Sequence, residues 1–427
     1  MPAASAQGIG HSRVQGQRAL ADASIAALGA PVERALNAEV WTTDGRRHID
    51  FSASAGIVGH RNEQVTRSIA ARLGTPGIIQ ASPALDPDAI RLAERLTMLH
   101  VDQAERRTML YGSDAEAIEG AIVYARRYTR RPILLAFSGA AHGHGNLGVA
   151  LSGLAHWAKA AGGSYPPFIH HLPFPHVSLG VSLHETRRAF EHLTQSTIMP
   201  SDIAAIIVEP IQREGGILPC SAELLGFLRA TCDQHGIVLI ADETRTALGP
   251  TGRMLAADHF APGPDLIVMG GALAAGMPLS AVVGAAAIMG SALHGMPMQN
   301  GAVNTLALAA AHAVLDLVQE AGLCERAVAL GRHWTARMNS VRPPARLLLD
   351  LRGLGALRGI ELRDAAGAPA AAQARTICDD CLAHGLLLHP AGPKGNVIPF
   401  LFPLTIELPV LDEALGIFAD ALHRVIH

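Results

Sequence analysis

Pro264 to Val282 reads PDLIVMGGALAAGMPLSAV. Leu266–Met269 is a short apolar run of strand length and is expected as a buried strand. A Gly- and Ala-rich turn follows it, then Met277-Pro278-Leu279-Ser280 and a second apolar run. Runs of the same kind occur upstream at Thr108–Tyr111, Ile133–Phe137, Ala204–Val208 and Ile237–Ala241. Between them the spacing predicts helices over Ala115–Tyr128, Leu183–Thr194 and Ala222–His235. Strands alternating with helices argue for a mostly parallel α/β sheet.

Towards the N-terminus, Gln64–Leu73 has helical spacing, and residues 1 to about 60 are expected as a loose arm with a short strand at Glu39–Thr43. Downstream of Asn304 the texture changes to long helices, Thr305–Glu320 and Gly322–Val341. A strand-rich, helix-capped tail then runs from Leu347 to His427. The organisation expected is an N-terminal arm belonging partly to a small domain over 1–60, a large domain over 61–304 and a small C-terminal domain over 305–427.

The chain has 427 residues, enough to bury a sizeable core. A formal net charge of -3 gives no bulk argument for nucleic acid or membrane partners. Hydrophobic residues make up 49%, yet no run of 18 uncharged apolar residues suggests a spanning helix. MPAASAQGIGHSRVQGQ at the start lacks an apolar core, so no signal peptide is expected. Five cysteines in so long a chain suggest a reducing compartment, with the cytoplasm as default. Cys378 and Cys381 form a CxxC, but inside a helical pattern, which suggests two cysteines on one helix face. No tight ligand spacing points to a metal. Of 34 basic residues only Lys159 and Lys394 are lysine. An arginine cannot replace a lysine where a deprotonatable amine is needed.

HIDFSASAGIVGHRNEQV, VEPIQREGGILPCSAELLGFLRATCDQHGIVLIADET (208–244), GMPLSA (276–281) and GLLLHPAGPKGNVIPFLFPLTI (385–406) resemble the class III, ornithine/GABA-type aminotransferases. These enzymes use pyridoxal phosphate (PLP), and the resemblance covers nearly the whole chain. It implies the fold of fold-type I PLP enzymes: a mostly parallel central sheet flanked by helices, plus a smaller α+β domain. It also implies a homodimer with its pockets at the subunit interface, acting on a small molecule.

The resemblance places Asp242 against the pyridine nitrogen of PLP, where it would keep the ring protonated as an electron sink. Other positions of the cofactor shell depart from the family. The lysine that would carry PLP as a Schiff base falls on Gly271. In the phosphate-binding Ser-Gly-Ser/Thr-Glu-Ala motif, the glycine and the hydroxyl residue become Asp114 and Ala115. Asp114 there is expected to be an ordinary N-cap that adds repulsion to a phosphate. A partner-chain threonine falls on Asn300, the ring-stacking tyrosine on Ala141, and the carboxylate-gripping arginine of "GNVIR" on Pro399.

These departures fall on one small volume, which suggests a retained fold whose cofactor site has been dismantled. Asp242, His142, Glu209 and Arg245 are expected to line one solvent-open cavity as an acid/base cluster. Gln212, His144 and Lys394 are candidate substrate contacts. Three functions stay open. One is a repurposed, PLP-independent enzyme with no cofactor, doing acid/base or condensation chemistry in the old pocket. Another is a non-catalytic homologue acting as a binding or regulatory partner, and the third a PLP or pyridoxamine phosphate enzyme without a lysine-bound cofactor.

Overall fold

The computed structural model describes residues 28–74, 80–81, 86–99, 105–155, 167–260, 263–291, 303–342 and 346–424. Its centre is a seven-stranded sheet, whose strands are numbered here in chain order: β1 Arg106–Tyr111, β2 Ile133–Phe137, β3 Ile169–Leu172, β4 Ile203–Val208, β5 Val238–Glu243, β6 Leu266–Met269 and β7 Ser280–Ala285. In space the order is β1-β7-β6-β5-β4-β2-β3. Strands β6, β5, β4, β2 and β3 pair in parallel, and β7 runs antiparallel to both β6 and β1. Every residue of β2, β4, β5 and β6 is buried. Helices cover both faces of such a sheet, so its strands read as unbroken apolar runs and their positions could be predicted.

Crossover helices occupy Asp114–Thr129, Leu183–Ser196 and Ala222–His235. The first uses an alanine-rich face: Ala117, Ala121 and Ala125 are fully buried, and Gly120 lets Tyr111 lie where a Cβ would stand 2.2 Å from the tyrosine hydroxyl. Thr305–Glu320 and Leu323–Ser340 are the two helices expected after Asn304, and Asn304 caps the first by accepting from the amides of Leu306 and Ala307. Among the described residues no single helix is long and apolar enough to cross a membrane.

The segment expected as a loose arm is more ordered over its described part. Val32–Leu36, Glu39–Thr42 and Arg47–Asp50 form an antiparallel meander, and Leu386–Leu387 adds to it in parallel. A second sheet of Leu347–Leu354, Leu357–Asp364 and Val397–Phe400 lies near the C-terminus. Trp334, Phe400 and Phe418 stack edge-on behind it. The chain after the meander then runs alongside residues 401–404: Leu401 N donates to Phe51 O, and Leu404 N donates to Ile57 O at 2.8 Å. This pairing holds residues 53–61 over the carboxyl ends of the central strands. Cys378 and Cys381 are both buried on the helix Ala371–Ala383, as the helical pattern predicted.

Candidate active site

Parallel strands of an α/β sheet present their carboxyl ends, with the loops that follow, along one edge, and ligands collect there. Adjacent strands β5, β4 and β2 bring three polar residues to that edge: Asp242 near the end of β5, Glu209 directly after β4, and His142 in the turn after β2. All three are buried, with exposures of 2%, 3% and 0%. His142 Nδ1 donates to Asp242 Oδ2 at 2.7 Å. Asp242 Oδ1 accepts from the backbone N of Thr244 at 3.0 Å and from its Oγ1 at 2.7 Å. The imidazole is fixed from behind, because its backbone N donates to Ser152 Oγ at 2.9 Å. Among the described residues His142 Nε2 and Gln212 Oε1 are buried without a hydrogen-bond partner.

The two carboxyl groups are driven in opposite directions. Burial works against a charge on Asp242, but the hydrogen bond and proximity of His142, with the two donors of Thr244, outweigh it and hold the carboxyl below its ordinary range. Burial and the neighbouring Asp242 charge push Glu209 well above its ordinary range; the bond from Ala141 N to its Oε2, 2.9 Å long, only partly offsets this. Asp242 is thus favoured as the carboxylate, while Glu209 is pushed towards keeping its proton. Glu243, beside them in sequence, does different work: burial raises it to about 7, and it accepts from Thr246 Oγ1 and the amides of Ala256 and Ala257.

A second cluster forms where β1, β6 and β7 meet. Ser113 caps the helix Asp114–Thr129 by accepting from Glu116 N, so Asp114 is the first helical residue and not the N-cap expected. Its carboxylate reaches across the sheet and accepts from Ser280 Oγ at 2.6 Å and Gly271 N at 3.1 Å. A Cβ on Gly270 would stand 1.9 Å from Asp114 Oδ1. Gly271 has φ +54°, and a Cβ there would stand 2.6 Å from Thr244 O. The acid at 114 and the glycines at 270 and 271 thus fit one another. The residue at 271 brings no amine.

Beside this cluster lies a cavity of about 350 Å³, bounded by residues 53–61, 244–250, 271–276, 356–357 and 401–402. Arg61, Arg213 and Arg245 line it, together with His60. The cavity corrects one expectation: Arg245 lines it, whereas Asp242, Glu209 and His142 do not; they are buried next to it, Asp242 being bonded to Thr244, which does line it. Asp242 and His142 are brought into contact, and Glu209 joins them through the Ala141 amide and through its charge coupling to Asp242. Gln212 Nε2 donates to Ser138 O at 3.0 Å, and its side chain fills the space left by Gly139 and Gly215. His144 and Lys394 are exposed, neither bordering the cavity, and Ala141 and Ala115 are half-buried. Asn300 and Lys159 lie outside the described residues. Arg213 went unnoticed in the sequence, where its only signal was a large cation in the glycine-containing turn Gln212-Arg213-Glu214-Gly215-Gly216.

The model of the family Aminotransferase class-III matches residues 21–422. The chain belongs to the class III aminotransferases. It is 35% identical to the 5-aminovalerate aminotransferase DavT of Pseudomonas aeruginosa over 92% of this chain and 93% of the relative. It is 31% identical to the 4-aminobutyrate aminotransferase GabT of Escherichia coli over 91% and 92%. Among solved structures, an amine transaminase from an uncultivated Pseudomonas species, in its PLP-bound form, superposes with a TM-score of 0.80 at 26% identity, covering 93% of this chain and 94% of that one. The fold-type I architecture expected from the sequence is the one found.

Membership of the class III aminotransferases overturns the functional expectation. A repurposed PLP-independent enzyme without a cofactor, or a non-catalytic pseudo-aminotransferase, does not stand against relatives that are named aminotransferases over nine-tenths of the chain. The physical reason lies in how the substitutions were weighed. Asp114 and the glycines at 270 and 271 form one accommodated arrangement, not separate lesions, and Asp242 is held by both His142 and Thr244.

Proposed function

We propose that this class III member is a PLP-dependent aminotransferase, moving an amino group between a short amino acid that carries a carboxylate and a 2-oxo acid. The observation that carries this is the His142–Asp242 pair, 2.7 Å long and buried at the carboxyl ends of the strands, beside Thr244 on the cavity wall. The relatives named for 5-aminovalerate, 4-aminobutyrate and 2-aminoadipate support the substrate range.

The residues present fit the ring end of PLP. Asp242 Oδ2 has one donor, His142, and keeps acceptor capacity for a protonated pyridine nitrogen. His142 and Thr244 fix that carboxylate in place and keep it ionised. Glu209 beside it is pushed towards its neutral form, which lessens competition from a second negative charge. At the phosphate end, the amides opening the helix Asp114–Thr129 supply donors, and tying the Asp114 carboxylate to Gly271 and Ser280 gives its charge partners of its own. When bound, PLP supplies the electron sink that lets an amino group pass from amine to oxo acid. Gly271 has no side chain to carry an amine or a transferable proton, so no step is assigned to it.

A homodimer, a cytoplasmic setting, and a division into a large part over 61–304 and a smaller one over 305–427 with 1–60 belong to the same proposal. The test is to incubate the unmodified protein with PLP, 5-aminovalerate or 4-aminobutyrate, and 2-oxoglutarate, and to measure glutamate. Glutamate formation that saturates with the donor is expected. None with either of these donors or with 2-aminoadipate would count against the proposal.

A further inference from the structure

Two separate pieces of chain meet at the 350 Å³ cavity. The turn Arg213–Gly216 brings Arg213 to its wall, and the tip of the hairpin formed by Leu347–Leu354 and Leu357–Asp364 brings Ala356 and Leu357. Behind the wall one side chain joins them. Arg352 Nε donates to Gly216 O at 2.8 Å, while its Nη1 donates to Glu361 Oε2 at 2.5 Å and to Ser178 Oγ at 2.6 Å. The side chains of Arg352 and Glu361 are only 9% and 8% exposed. Burial works against a charge on Glu361, but Arg352, then Asn396 and Arg363, hold its carboxyl below the ordinary range. Arg363 Nε and Asn396 Nδ2 donate to its other oxygen at 3.0 and 3.1 Å. A buried ion pair whose remaining acceptors are filled is a fixed joint, unlike a solvated surface pair.

The turn is shaped to receive this guanidinium. Gly216 has φ +113°, and a Cβ there would stand 3.1 Å from both Arg352 Nη2 and Val397 Cγ2. Gly216 N and Ile217 N donate to Arg213 O at 3.1 and 3.2 Å, so the carbonyl that Arg352 grips lies in the same closed turn as Arg213. The hairpin is fastened a second time at its tip, where Ala356 N donates to Pro250 O at 2.8 Å.

We infer that Arg352, which does not itself border the cavity, is a positioning residue: its fork fixes the turn Arg213–Gly216 against the hairpin and so sets the shape of the space in which the amine donor binds. This deepens the aminotransferase proposal and rests on it for the donor. A planar fork reaches a carbonyl and a carboxylate together, whereas a lysine ammonium is a point charge. Arg352→Lys would therefore keep a cation beside Glu361 and lose the grip on Gly216 O. A purely electrostatic role survives that change, and a positioning role does not.

Hydrogen–deuterium exchange of the full chain, read by mass spectrometry, and donor kinetics compare the parent with Arg352→Lys. Exchange over residues 211–218 is expected to quicken about tenfold, the scale of one lost charge-assisted contact, while the helix Ala222–His235 exchanges as before. KM for 4-aminobutyrate or 5-aminovalerate should rise about fivefold or more with kcat within about twofold, the pattern of lost uniform binding, and PLP should bind as it does to the parent. Should Arg352→Lys not fold, Gly216→Ala crowds the same guanidinium and is expected to show the same pattern. Unchanged exchange over 211–218, equally quickened exchange in the helix, or an unaltered KM would each overturn the inference. A parent that forms no glutamate sinks the proposed function alone, and exchange over 211–218 then decides whether Arg352 holds the turn.

Discussion

Glu209 and Asp242 sit within one buried network that pushes their carboxyl groups in opposite directions. Glu209 has its folded pKa raised above the ordinary 4.5, so the folded state binds a proton that the unfolded state gives up. Its stabilising contribution is full below about pH 4.5 and is lost as pH rises towards the folded value. Glu209→Gln removes that dependence: it should unfold at the same or a higher temperature than the parent at pH 8, and its loss of stability between pH 5 and 8 should be shallower. A variant that is destabilised more at pH 8 than at pH 5 would refute the neutral carboxyl. Asp242→Asn has the opposite character. The amide cannot accept from both His142 and Thr244 in the parent geometry, so one buried donor loses its partner. A cost of about 1–3 kcal/mol is expected in urea unfolding, together with loss of transamination.

Where β1, β6 and β7 meet, Asp114, Gly270, Gly271 and Ser280 behave as one unit. Gly270→Ala puts a methyl into the Asp114 carboxylate and should destabilise by about 1–3 kcal/mol, the usual cost of overpacking. Asp114→Gly should relieve most of that cost in the double variant. A double-mutant cycle with no coupling would show the two sites to be independent. At this scale the sequence was legible wherever burial was complete: β2 and β6 were placed to the residue because both faces are apolar, and the helix Ala222–His235 because Ser221 and Gly236 bracket it. Asp242 was singled out only through the family resemblance, not by the pattern of its own segment. The resemblance also grouped His142 with Asp242, and the two are in contact across a hundred residues of sequence; what it did not give is that the pair lies off the cavity that Arg245 lines. Nor could it separate Asp114 as a phosphate neighbour from Asp114 held by Ser280, since both readings share one letter. Arg213 was missed for a related reason: only the folded turn aims it at Arg245.

The molecule as a whole combines a sheet whose carboxyl ends hold the Asp242 network with a cationic cavity roofed by residues 53–61 and 401–402. Light scattering at micromolar concentration should give twice the chain mass of 44.7 kDa; a monomer would remove the interface pockets from the proposal. The functional account stands on one point, that the buried carboxylate of Asp242 anchors PLP through its ring nitrogen. Equilibrium dialysis of PLP against the parent and Asp242→Asn measures that point, and a borohydride step on the same samples reports any covalent attachment. Binding near one PLP per chain in the parent, weakened roughly tenfold or more by the substitution, is the predicted result, since a hydrogen bond to a charged group contributes about 1.5–3 kcal/mol. PLP that fails to bind the parent, or binds the variant equally well, would contradict it.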